Sequence, residues 1–134
     1  MQFSSRWLEC HCLVLKFFVH DLLKYGLRNG VVYKIAYFVP ENYLDSTKNA
    51  MFAAGAGRIG NYESCAWQTL GQGQFRPIQG AAPFIGELQT LTCVAEYKVE
   101  LVCAAACIVA AIAALKQAHP YETPAYEVYS LSDF

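Results

Sequence analysis

From Tyr33 to Val39 the chain reads Tyr-Lys-Ile-Ala-Tyr-Phe-Val, a run rich in strand formers that stops at Pro40. Pro40 suits the start of a helix, and Glu41 in its first turn is favoured by the helix dipole. Leu44, Thr47, Met51 and Phe52 give that helix an apolar side, and Gly55 ends it. A glycine-rich loop, Gly55 to Tyr62, leads to a second strand over about 63–70. Gly71 and Gly73 are expected to turn the chain into a short strand over 74–78, followed by a loop over 80–86. Residues 89–102 then alternate. Val94, Glu96, Lys98, Glu100 and Val102 oppose Cys93, Ala95, Tyr97, Val99 and Leu101, as a half-buried strand requires. Residues 104–118 predict a second helix with Ile108, Ala111, Ile112 and Leu115 as its packing stripe, stopped at His119-Pro120. Pro124 opens a last strand over 125–131.

Two β-α-β halves around a hairpin make an α+β, ferredoxin-like sandwich. Both helices would cover one face of an antiparallel sheet. The other face must be solvated or covered. Eight Phe and nine Tyr in 134 residues suggest that it is covered, most simply by another copy of the chain.

Residues 1–32 stand apart as an N-terminal helical extension. Leu8, Cys12, Leu15, Val19 and Leu22 recur at helical spacing, and Asn29-Gly30 is a stop signal. Four basic against two acidic residues give this segment +2, whereas six against nine give residues 33–134 a charge of −3, so composition changes at this boundary.

Net charge is −1 and pI about 6.3, with no basic stripe, which argues against a nucleic-acid binder that neutralises many phosphates. The longest uncharged stretch, Leu101 to Leu115, is short of the roughly 20 apolar residues of a spanning helix. No small-x-small cleavage site follows the N-terminal apolar stretch. The expectation is a soluble, cytoplasmic protein without a membrane partner. The cysteines at 10, 12, 65, 93, 103 and 107 form neither C-x-x-C pairs nor a zinc spacing. Cys103 and Cys107 fall four apart on the predicted helix and would face one metal, but free cysteine is more often an apolar core residue.

Gly55-x-Gly57-x-x-Gly60 matches a dinucleotide-binding string, but here a helix precedes it and a strand follows, the reverse of that motif's context. Two readings remain. The glycines serve a tight helix-to-strand turn, or the amides of the loop form an anion-binding nest with Arg58 adding charge. Gly57, Arg58, Gly60, Asn61 and Tyr62 are the candidates. Arg76, in Phe75-Arg76-Pro77, is either a surface charge or a second arm reaching the same pocket. In His119-Pro120-Tyr121-Glu122, the histidine and carboxylate would bind a divalent metal, or lock a subunit interface by hydrogen bonds. Metals want three or four protein ligands, so a metal here would be shared between subunits. No nucleophile constellation emerges, and no catalytic residue is assigned.

Ala54-Gly-Ala-Gly-Arg-Ile-Gly-Asn-Tyr62, Phe75-Arg-Pro77, Pro83-Phe-Ile-Gly86 and Ala114-Leu-Lys-Gln-Ala-His-Pro-Tyr-Glu-Thr-Pro-Ala-Tyr126 occur in this order. Together they make residues 33–134 resemble a standalone form of the domain inserted in NGG-one-interacting-factor-three-like (YqfO-type) proteins. The His-Pro-Tyr-Glu-x-Pro segment also resembles CutA-type divalent-cation-tolerance proteins. The resemblance implies a PII/CutA-like fold, and a trimer with its sheets turned inward. In the full-length relatives a dinuclear metal site belongs to flanking lobes, so the resemblance does not transfer metallohydrolase or cyclohydrolase activity. Relatives begin near Tyr33, which suggests Val31 or Val32 as an alternative start and residues 1–32 as a start-site artefact.

The leading expectation is therefore a small non-enzymatic binding and assembly module. It would be homotrimeric, holding a small anion or divalent metal at subunit clefts. The alternatives are a metal-dependent hydrolase on a nucleotide-like substrate, or a PII-like regulator of a protein partner that uses the stretch from Gly71 to Gly86 as its loop. Neither the ligand nor the pathway is named by these residues.

Overall fold

The computed structural model describes residues 30–132. The predicted N-terminal helix and start-site reading lie outside the described residues. Strand β1 (Val32–Val39) leads into helix α1 (Glu41–Ala53), then β2 (Trp67–Phe75), β3 (Thr92–Ala104), helix α2 (Ile108–Ala118) and β4 (Tyr126–Leu131). The four strands form one sheet in the order β2-β3-β1-β4, antiparallel throughout. This is the expected ferredoxin-like sandwich.

Alternation on the central strands sorts the side chains. Ile35, Tyr37 and Val39 of β1 and Val99, Leu101 and Cys103 of β3 point into the helix layer and are buried. They meet Leu44 and Met51 of α1 and Ala111 and Leu115 of α2 in one core. Burying these aliphatic side chains is the main stabilising contribution, at about 25 cal/mol per Å² of apolar surface. Inside this core the Tyr37 hydroxyl donates to Thr47 Oγ1 at 3.2 Å, while the Thr47 hydroxyl reaches the Tyr43 and Leu44 carbonyls. Burial pushes the Tyr37 phenol up to about 12, against the opposing pull of Thr47.

Three expectations change. The chain does not turn at Gly71 and Gly73; both lie inside β2, whose register with β3 is unbroken from Trp67↔Glu100 to Phe75↔Thr92. Neither glycine has a positive φ, so neither bends the backbone. The loop of this region is accordingly residues 76–91, and Gln89 closes its base by donating to the Pro77 carbonyl at 2.7 Å. Second, α2 begins at Ile108, not Ala104. Cys103 and Ala104 pair with Tyr33 and Val32, so the ladder with β1 overrides the helix propensity of the alanines. Cys103 is therefore a buried strand residue and Cys107 precedes the helix; they are not successive turns of one helix. Third, the aromatic rings divide between the two faces. Tyr33, Tyr37, Tyr97 and Tyr126 lie on the helix side. Phe38, Trp67, Phe75 and Tyr129 lie on the open side, interleaved with Lys34, Glu96, Lys98, Glu100 and Glu127. Among the described residues no helix is long and apolar enough to cross a membrane.

Candidate functional site

The Gly55–Tyr62 loop is built mainly on its own backbone. The amides of Gly55, Ala56, Gly57, Ile59 and Tyr62 donate to the carbonyls of Phe52, Met51, Val102, Tyr62 and Ile59. Gly60 and Asn61 form the tip between the paired Ile59 and Tyr62. Gly57 is buried at φ +73, and a Cβ there would press on the Phe52 ring and the Cys65 carbonyl. A glycine is thus needed for both conformation and space. Arg58 is exposed and stands 3.9 Å from Glu63, also exposed. Most of the amides that a nest would offer are already used.

Arg76 is far from this loop. Gly57 is tied to Val102, whereas Arg76 follows the Phe75↔Thr92 pair. Ten residues of extended strand separate those two anchors, roughly 33 Å. Within one chain, Arg58 and Arg76 do not share a pocket, contrary to the second-arm expectation.

Arg76 instead flanks the end of the sheet that carries the His119–Glu122 corner. The Tyr121 amide donates to His119 Nδ1 at 3.1 Å, so the proton sits on Nε2, which donates to the Phe38 carbonyl at 2.8 Å. Burial pulls the imidazole below its usual value, outweighing the Phe38 bond and the nearby Glu96 charge. Both nitrogens of a neutral ring are thereby engaged, and a metal on either would displace a backbone bond. Glu122 Oε1 accepts from the Ala82 amide at 3.1 Å and clips the 76–91 loop to the corner. The pair proposed for a metal therefore has separate partners. Among the described residues no group of three or more His, Cys, Asp and Glu is placed to hold an ion.

Next to the corner lies a cavity of about 370 Å³, walled by Phe38, Phe75, Pro77, Pro83, Phe84 and Tyr121, with Glu96 and Glu122 as its charged residues. The Tyr121 hydroxyl donates to Glu96 Oε1 at 2.8 Å. Burial, then that bond and the Glu96 charge, hold the phenol well above its ordinary value, so it stays a donor at neutral pH. Phe84 meets Tyr43 of α1 edge-on at 5.7 Å between centroids, which seats the loop. Sequence reasoning did not single out Glu96, which reads as one polar residue of an alternating strand. Phe84 lies within Pro83-Phe-Ile-Gly86, but nothing in its spacing marks it as a cavity wall.

No protein-family model matches the chain. A Mycobacterium leprae protein described as a GTP cyclohydrolase 1 type 2 homolog is 42% identical over 94 residues, which is 70% of this chain and 24% of that protein. A Bacillus cereus protein related to NIF3 superposes with a TM-score of 0.68 at 35% identity, covering 78% of this chain and 26% of its own. The chain is a homologue of one domain of the NIF3/YqfO family. It spans about a quarter of the length of these relatives. CutA from Synechococcus elongatus superposes with a TM-score of 0.56 at 17% identity, over 77% of this chain and 79% of that one. That likeness concerns the fold alone, and the fold is PII/CutA-like.

Proposed function

We propose that this domain is a small non-enzymatic binding and assembly module. It acts as a homotrimer, with its open sheet face turned toward sister chains and small ligands taken up at subunit clefts. The open face carries the proposal. Trp67 is 69% exposed there, with Tyr129 and Leu131 also exposed. Part of the charge between them is neutralised in place: Lys34 lies 2.9 Å and Lys98 3.6 Å from the same Glu100 carboxylate. Bonding to Lys34 above all holds that carboxyl below its usual range. This paired cluster loses less on desolvation than lone ions would. The exposed rings of the face favour burial against another surface. The family resemblance supplies the number three.

Arg58 and Arg76 support a binding role only in an assembly. An anion held by both would draw them from different chains, and a metal at His119 and Glu122 would likewise need ligands from a sister chain. The engaged nitrogens of His119 favour a structural corner over an acid–base one.

Light scattering on the full chain tests the assembly. Three copies are expected, and Trp67→Glu should yield a smaller species that still unfolds cooperatively. A parent protein that runs as a monomer overturns the proposal.

A further inference from the structure

We infer that the cavity beside the 76–91 loop binds a small organic cation: an alkylated ammonium group seated against aromatic rings, with its charge toward Glu96. This deepens the binding half of the function proposed above and rests on taking this cavity as a ligand site.

Three features of the walls agree. The first is the arrangement of rings. Phe75 and Phe84 lie 6.4 and 6.3 Å from Tyr121 between centroids, tilted by 52° and 45°. At these distances both phenylalanine rings touch Tyr121 in tilted, unstacked pairs, so the three form one continuous aromatic wall of the cavity. Ring faces attract a cation that comes within about 6 Å of a centroid, most strongly where water is excluded.

The second is charge. Glu96 and Glu122 are the ionisable acids of the lining, and no lysine or arginine lines it. Neither carboxylate takes part in a salt bridge among the described residues. An anion would meet two carboxylates. A neutral apolar ligand would fill the space but strip water from Glu96 without compensation. A cation satisfies the rings and the carboxylate together.

The third is the way Glu96 is held. Tyr121 fixes Oε1, while Oε2 lies over Gly73, where any Cβ would collide with it. Gly73 has ordinary strand geometry, so its backbone does not require glycine. The missing side chain leaves room for the carboxylate. Glycine in a strand interior often marks such a close approach. The cavity volume of about 370 Å³ suits a ligand of small-metabolite size.

The probe is choline chloride, titrated calorimetrically into the full chain. Its neutral carbon isostere, in which carbon replaces the ammonium nitrogen, serves as the control. Choline should bind, and the isostere should bind at least about tenfold more weakly. Glu96→Gln keeps an acceptor for Tyr121 but removes the charge, and should weaken choline by about tenfold. Phe84→Leu, at an exposed ring, should weaken it several-fold, and Val109→Ala, exposed on α2 and outside the cavity, should leave it unchanged. Absence of choline binding by folded protein overturns the inference, as does equal binding of the isostere or undiminished binding by Glu96→Gln. Inorganic phosphate and manganese chloride are titrated in parallel. Competition of either with choline, undiminished in Glu96→Gln, also overturns it. Light scattering on the same samples separates the two proposals. A monomer that binds choline removes only the assembly, and a trimer that ignores choline removes only this site.

Discussion

The Tyr121 hydroxyl donates a hydrogen bond to Glu96 Oε1 across 2.8 Å, joining the loop after α2 to the middle of β3. The contact couples the His119–Glu122 corner to the open sheet face, because the backbone amide of Tyr121 also fixes the His119 ring. Removing the hydroxyl leaves Glu96 to find water in the cavity. Tyr121→Phe should therefore cost about 1 kcal/mol, the usual net worth of a hydrogen bond. Urea unfolding followed by circular dichroism measures this, and an unchanged midpoint would contradict it.

The Tyr37–Thr47 pair predicts an ordering. In Thr47→Val the buried Tyr37 hydroxyl loses its acceptor, which costs about 1–3 kcal/mol. In Tyr37→Phe the Thr47 hydroxyl still donates to the carbonyls of Tyr43 and Leu44, so the loss should be smaller, about 1 kcal/mol. Chemical denaturation of both variants decides the order, and a costlier Tyr37→Phe would be the contrary result.

His119 predicts a pH dependence. Its folded pKa lies below the usual 6.5, so the unfolded chain takes up the proton more readily. The histidine's contribution to stability is therefore full above the unfolded value, and is lost as pH falls from there toward the lowered folded value. Melting temperatures should drop between pH 7 and pH 5, and His119→Gln should flatten that slope while lowering stability at neutral pH. A slope identical in the variant would show that other groups produce it.

The two glycines of the 55–62 loop should differ. Gly57→Ala meets both a positive φ and the Phe52 ring, with the Cys65 carbonyl behind, and should lose about 2–3 kcal/mol. Gly60→Ala at φ +56 has nothing within 4 Å and pays only for the left-handed conformation, about 1 kcal/mol. Thermal unfolding of the pair makes the comparison. Equal losses would mean that the space around Gly57 yields freely.

The candidate site was legible in part. His119, Tyr121 and Glu122 sit in one short motif, and the structure does place them beside a cavity. Glu96 was not legible, because its partner Tyr121 lies 25 residues away and strand alternation gives every polar-face residue the same signature. Gly71 and Gly73 misled for a related reason. A glycine's local freedom suggests a turn, whereas nine paired positions with β3 keep β2 straight through both of them. Arg58 and Arg76 were grouped by residue type, and the register separates them.

What the chain determines by itself is local and periodic. Alternation along residues 93–102, the spacing of Leu44, Thr47 and Met51, and the stops at Pro40 and His119-Pro120 are written in side-chain chemistry, which acts over a few residues. From these the element order and the layered fold follow. Tertiary structure alone decided which polar groups meet: the Tyr121–Glu96 bond, the neutral tautomer of His119, and the ring-walled space over Gly73. These depend on strand register and loop closure, where one step of slip exchanges the two faces of a strand.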